Sequence, residues 1–334
     1  MDRKLQLEVW LKQVLPGQSF TLTIASADAS FRHYFRVHLA DKTLIAMDAP
    51  PPQEDCRPFV RIARLLLDAG LNVPKIIAEE VEQGFLLLSD LGDTTYLSQL
   101  NQDNASKLYG DAADALIKLQ LASKPDVLPP YDEALLTREL NLFPDWYISK
   151  HLGIALEAKQ DAALRAVFET LNKNILAQGQ VYVHRDYHSR NLMVCDEVQG
   201  GNPGVLDFQD AVYGAVTYDL VSLLKDAYIS WDEEQIIDWT VRYWEKARKA
   251  GLPVPPDFGD FYRDFEWMGA QRHIKVLGIF ARLYHRDGKD GYLKDMPLVM
   301  EYLRKVCERY VELRPLLRLL DALGGKVPRP KYVV

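Results

Sequence analysis

Apolar and polar residues alternate with a period of two in three stretches near the N-terminus: SFTLTIAS from Ser19 to Ser26, HYFRVHLA from His33 to Ala40, and KTLIAMDA after the Asp41-Lys42 turn. Successive side chains of a strand point to opposite faces, so this alternation predicts a three-strand meander. An amphipathic helix, Leu5 to Val14, precedes it and ends at Pro16-Gly17. The prolines at 50 to 52 stop the meander, and from Gln53 to Gly70 the apolar spacing becomes helical. Two further strands, KIIAEE and GFLLLSD, turn at Gln83-Gly84.

Beyond Asp93 the period is that of helices, predicted from Asn104 to Ser123, Glu133 to Leu152 and Lys159 to Gly179. Strand character returns in VYV, NLMV and GVLDF, and the turn DEVQGGNPG makes the last two a hairpin. Helical spacing then resumes through YDLVSLLKDAY, Glu233 to Ala250, Phe258 to Tyr284 and Pro297 to Leu323. The pattern therefore predicts an α+β chain of two lobes. Residues 1–92 form a small lobe of five antiparallel strands and one main helix, and residues 93–334 a large, mostly helical lobe.

Composition narrows the class. The 334 residues are 48% hydrophobic and 26% charged, as in an ordinary globular protein, and are long enough for two domains. Lys and Arg number 40 against 47 Asp and Glu, a net charge of −7 without a basic run, which argues against nucleic acid as partner. No apolar run approaches the roughly 20 residues of a membrane span. Cys56, Cys195 and Cys307 are odd in number and widely spaced, so neither a disulfide framework nor a CxxC metal site is predicted. The expectation is a cytoplasmic, monomeric enzyme acting on small molecules.

The chemistry gathers in HRDYHSRN, His184 to Asn191. Five polar groups in eight residues directly after an apolar strand need partners or a function. Asp207 ends the next apolar strand, so the hairpin brings it to Asn191; an amide and a carboxylate oxygen suit Mg²⁺. Asp186 stands five residues before Asn191 as a carboxylate able to accept the proton of an attacking hydroxyl. His184 and His188 have the i, i+4 spacing of a zinc pair, but they fall in a loop between strands, where that spacing does not put them on one face.

HxD(x4)N followed by a strand-end Asp resembles the catalytic and metal loops of protein-kinase-like phosphotransferases. DFQD in place of DFG, with no APE segment after it, resembles the aminoglycoside phosphotransferase branch. The segments DASFRHYFRV, LIAMDAPP, GFLLLSDLGD, LFPDWYISKHLG, HRDYHSRNLMV, LDFQDAVYG and QRHIKVLGIFARL are similar to those of bacterial anomeric sugar kinases. That resemblance implies a two-lobed protein-kinase-like fold and ATP-dependent phosphorylation of the C1 hydroxyl of N-acetylmuramate and N-acetylglucosamine, in peptidoglycan recycling. It implies Asp186 as catalytic base and Asn191 and Asp207 as ligands of Mg²⁺. A kinase of an aminoglycoside, choline or homoserine, and a non-catalytic pseudokinase binding module, are the competing readings.

Two departures from kinases at large stand out. The loop ASADASFRHY has no glycine, so the small residues Ala29 and Ser30 take the place of a Gly-rich phosphate loop. The third strand, LIAMDA, has no lysine, and Arg32 or Arg36 is the candidate cation, with Arg32 the choice. Adenine is expected along the backbone of Leu88 to Asp90. For the sugar, Trp146 is a stacking platform or core, and Asp210 a supporting carboxylate or a turn residue. Arg272 and Lys275 share a helix face as partners for a lactyl carboxylate, or form a solvated face.

Overall fold

The computed structural model describes residues 2–27 and 31–324. Ala29 and Ser30 lie outside the described residues. The chain divides into two compact units: Met1–Ala122 with Arg190–Ala211, and Ser123–Ser189 with Val212–Val334. The change from strand to helical pattern near residue 92 falls inside the first unit, because packing groups residues by contact and not by secondary structure.

In the first unit, α1 (Arg3–Val14) is followed by β1 (Thr21–Ala27), β2 (His33–His38) and β3 (Thr43–Asp48). Then come α2 (Arg57–Asp68), β4 (Ile76–Glu80), β5 (Phe85–Ser89), α3 (Tyr96–Gln99) and α4 (Ala105–Leu121). The five strands form one antiparallel sheet in the order β1-β2-β3-β5-β4. Alternation sorts the sheet's two faces. Val37, Leu44, Ala46, Phe85 and Leu87 pack against Leu7, Trp10, Leu11 and Leu15 of α1 and the turn after it. Each large apolar side chain buried there contributes about 1.5–3 kcal/mol. The alternate positions Arg36, Ile45 and Leu88 line a cavity instead. Gly84 turns β4 into β5 at φ +75°, where a Cβ would come within 1.9 Å of the Ala49 oxygen. Only glycine fits that turn.

The predicted hairpin forms, with Leu192 opposite Val205 and Met193 opposite Gly204. It is tied to the rest of the unit by Val205 N–H donating to the Asn72 carbonyl (2.8 Å) and Val194 N–H to that of Thr94 (2.8 Å).

The second unit holds α5 (Glu133–Leu140), α6 (Ala158–Ala177), α7 (Tyr218–Leu224), α8 (Glu233–Lys249), α9 (Phe258–Asp287), α10 (Met296–Arg309) and α11 (Arg314–Gly324). The helix expected from Glu133 to Leu152 is two elements: after α5 the chain widens into a π-helix, Phe143–His151. Pro144, lacking an N–H, breaks the regular ladder at that junction. The helix expected from Pro297 to Leu323 likewise breaks at Tyr310, before the short 3₁₀ turn Val311–Leu313. An unpredicted strand, Val212–Ala215, pairs antiparallel with Gln180–Val183. VYGA escaped the reading because four residues containing a glycine carry no clear period. Among the described residues, no helix is long and apolar enough to cross a membrane.

Helix α9 is buried over nearly its whole central length, including the charged Glu266, Arg272 and Lys275. It packs closely on the junction between α5 and the π-helix at Gly278, where a Cβ would lie 2.4 Å from the Leu142 carbonyl carbon. Gly278→Ala is expected to destabilise the protein by about 1–3 kcal/mol through overpacking. Gly291→Ala, with nothing within 4 Å of its Cβ, serves as control and stays within about 0.5 kcal/mol in the same denaturant titration.

Candidate active site

The first unit contains a cavity of about 350 Å³, bordered by Tyr34 and Arg36 of β2, Ile45 of β3, Leu88 of β5, the segment Ser89–Asp93, and Asn191 and Asp207 beside the hairpin. Leu88 lies inside the sheet, in register with Ile45 and Ile76, so it offers the cavity its side chain while its backbone belongs to the ladder. Asp90 is held by Arg36. Its Oδ2 accepts from Arg36 Nε at 2.7 Å and its Oδ1 from Gly92 N–H at 2.9 Å, while Arg36 Nη2 donates to the Gly92 carbonyl at 2.9 Å. Arg36 is thus committed to shaping the segment after β5. Arg32 pairs with Glu54, Nε to Oε2 at 3.5 Å.

Asn191 and Asp207 come together as the hairpin predicts, Asn191 Nδ2 donating to Asp207 Oδ2 at 3.3 Å. Gln209 Nε2 donates to the other carboxylate oxygen at 2.8 Å. Asp207 takes φ +63°, a turn of the backbone that ends the strand direction and that few residues with a side chain adopt. The donor set is one carboxylate and one amide, all hard oxygen. Among the described residues, no group of three His, Cys, Asp or Glu could cage a metal by itself. The pair of Asn191 and Asp207 suits Mg²⁺ by its donor chemistry, since that ion is commonly held by one or two carboxylates together with substrate phosphates.

In the second unit the loop from His184 to Ser189 follows the strand Gln180–Val183. Asp219, in the first turn of α7, accepts the N–H of His184 (2.6 Å) and of Arg185 (3.0 Å). It therefore anchors the loop and does not cap its own helix, whose N-cap position is Thr217. Asp226, just past the end of α7, accepts both Ser189 N–H (3.0 Å) and Ser189 Oγ–H (2.5 Å). The two carboxylates, one in the first turn of α7 and one just past its end, grip the loop on both sides of Asp186. Asp186 is partly buried, and its N–H donates to His184 Nδ1 at 3.2 Å.

The charges around the loop sort its protonation states. Burial alone would raise the Asp186 pKa, but Lys275, His188, Arg272 and His184 outweigh it and hold the carboxyl below its ordinary range. Asp219 goes the other way: burial pushes it up to about 7, against the pull of its two N–H donors and Arg272. The loop thus keeps an ionised carboxylate at Asp186, the state a proton acceptor needs.

Arg272 and Lys275 are each 6% exposed. Lys275 Nζ lies 2.9 Å from Glu139 Oε1 and 2.9 Å from the Tyr218 hydroxyl, and Arg272 Nη1 donates to the Arg185 carbonyl at 3.2 Å. Trp146 sits half-buried on the π-helix, and Asp210 is exposed just after the hairpin in the first unit. Sequence reasoning missed Glu139, Tyr131 and Tyr218, which surround the two cations. Glu139 reads as one more charge on an amphipathic helix, and only its partners reveal that it faces inward. The left-handed backbone of Arg185, φ +76°, has no sequence signal either.

A model of the phosphotransferase enzyme family matches residues 21–252. An N-acetylmuramate/N-acetylglucosamine kinase of Pseudomonas aeruginosa is 51% identical over 328 residues, covering 95% of this chain and 96% of its own. Another, of Neisseria meningitidis serogroup B, is 48% identical over 330 residues, 97% of each chain. Among solved structures, the ADP-bound aminoglycoside phosphotransferase APH(2'')-Ib is similar in fold, with a TM-score of 0.56 at 14% identity over 90% of this chain and 98% of that one. Matched along nearly its whole length, the chain belongs to the phosphotransferase enzyme family and, within it, to the family of the N-acetylmuramate/N-acetylglucosamine kinases.

Proposed function

We propose that the protein transfers the γ-phosphoryl group of ATP to the anomeric C1 hydroxyl of N-acetylmuramate and N-acetylglucosamine. The observation that carries this reading is the likeness to kinases of that name at 48% and 51% identity over almost the full chain. Likeness in fold to a phosphotransferase solved with ADP supports ATP as donor. In this reading residues 1–92 form the nucleotide-binding lobe and residues 93–334 the lobe carrying the catalytic and metal loops. The enzyme acts as a cytoplasmic monomer on sugars recovered from peptidoglycan.

Asp186 is the base. The C1 hydroxyl loses its proton to the Asp186 carboxylate, the C1 oxygen bonds to the γ-phosphorus, and the bond from that phosphorus to the bridging oxygen breaks to release ADP. A hemiacetal hydroxyl is more acidic than an ordinary alcohol, so a carboxylate held in its ionised form suffices. Asn191 and Asp207 would hold Mg²⁺, which would supply positive charge to offset that of the phosphates. The base of the nucleotide lies in the cavity beside Leu88 and the segment from Asp90, whose course Arg36 fixes. Arg32, oriented by Glu54, supplies the phosphate-facing cation that β3 lacks. Trp146 contributes to the sugar site.

With Mg-ATP and either sugar, NMR of the product is expected to place phosphorus on the C1 oxygen; phosphate on another hydroxyl, or none, overturns the assignment. Asp186→Asn is expected to lower kcat by about 10²- to 10⁴-fold, the usual worth of a general base, with the KM for ATP little changed. Arg32→Ala is expected to raise the KM for ATP about tenfold or more, as loss of one charge-assisted contact of about 1.5–3 kcal/mol requires. An unchanged KM and kcat in steady-state assays removes Arg32 from the phosphate site.

A further inference from the structure

The two cations expected to meet the sugar are spent on something else. Glu139, 5% exposed, accepts Arg185 Nη2 at 2.5 Å through the same Oε1 that pairs with Lys275, and its Oε2 accepts the Tyr131 hydroxyl. The Tyr218 hydroxyl joins the cations to each other, accepting Lys275 Nζ at 2.9 Å and Arg272 Nη1 at 3.3 Å. Both cations also lie over the Tyr218 ring, 5.5 Å and 5.6 Å from its centroid. In so dry a setting Lys275, which has its countercharge in Glu139, gains little from a second carboxylate, and exchanging partners leaves Glu139 buried beside fewer cations; Arg272 is held by the Arg185 carbonyl and the Tyr218 hydroxyl.

What these groups converge on is the backbone of one residue. Arg185 stands in the left-handed region at φ +76°, which a residue with a side chain seldom adopts unless its surroundings impose it. Its N–H is held by Asp219, its carbonyl by Arg272 and its guanidinium by Glu139. Tyr218 and Asp219, adjacent at the start of α7, take part in two of these grips. The carbonyl that Arg272 grips belongs to the peptide leading into Asp186.

We propose that Arg272 and Lys275 are positioning residues and not sugar ligands: Arg272 grips the Arg185 carbonyl, Lys275 holds Glu139 and Tyr218 in place, and together they aim the Asp186 carboxylate. The proposal rests on the phosphotransfer role given to Asp186 above. It sets these cations apart from any group that reads the lactyl carboxylate, the feature that distinguishes N-acetylmuramate from N-acetylglucosamine.

The test compares Arg272→Met, Lys275→Met and Tyr218→Phe with the unmodified protein. It uses steady-state kinetics on both sugars and amide hydrogen exchange over residues 184–187. Misaiming a reacting group by about 1 Å costs on the order of 100-fold, so kcat of the Met variants is expected to fall by about that factor on both sugars. The ratio of the two KM values stays within about twofold, and exchange over residues 184–187 speeds up. A rise in KM confined to N-acetylmuramate overturns the proposal, because it is the signature of a lactyl-carboxylate ligand. If a Met variant does not fold, Tyr218→Phe decides, since it removes only the hydroxyl joining the cations. Its kcat lowered several-fold on both sugars supports the proposal, and an unchanged kcat with unchanged exchange overturns it. Should the unmodified protein phosphorylate neither sugar, the functional reading fails, and exchange over residues 184–187 alone judges the positioning role: faster exchange in the variants supports it, unaltered exchange overturns it.

Discussion

The buried carboxylate of Glu139 is the interaction on which the loop from His184 to Ser189 depends. In one oxygen it balances Lys275 and Arg185, and in the other it takes the Tyr131 hydroxyl. Removing one partner of a buried ion pair typically costs about 3–5 kcal/mol, since the stranded charge cannot return to water. Here such a loss would strand two cations at once. The long helix α9 carries this load because its middle is enclosed on every side, and Gly278 lets it approach the chain at Leu142 closely enough to be so enclosed. Packing at a glycine and charge at a glutamate thus serve the same loop.

The first unit solves a different problem, that of giving a ligand a shaped wall without a flexible glycine loop or a β3 lysine. One face of its sheet is filled by Trp10 and its neighbours on α1, which leaves the other face open to line the cavity. Period-two alternation is enough to put Arg36 on that open face, opposite Ile45. Once there it is neutralised by Asp90, and the charge serves to set the course of the segment after β5. Arg32 is held by Glu54, outside the sheet's regular ladder, and is the cation free of that task. The hairpin then delivers Asn191 and Asp207 side by side through short-range pairing alone.

Features that depend on local period were legible in the sequence. The five strands, most of the helices, and the meeting of Asn191 with Asp207 follow from alternation, helical spacing and one turn. Features that depend on distant partners were not. Pro144 was visible, yet only the structure turns its break into a π-helix, and the strand at VYGA exists because Val181 and its neighbours pair with it. Asp219 stands at the start of a helical stretch, and nothing local says that its oxygens reach back 34 and 35 residues to the loop. The same holds for Arg272 and Lys275: their spacing gives a shared helix face, but whether that face meets water, sugar or Glu139 is a tertiary fact.

The claim at the centre is that Glu139 and Arg272 act as one unit through Arg185, and a double-mutant cycle on kcat tests it most directly. Residues acting through one element are non-additive, whereas independent sites multiply. With folding of each variant checked by thermal melting, Glu139→Gln in an Arg272→Met background should lower kcat little beyond the worse single change. Losses that multiply in full would contradict the account.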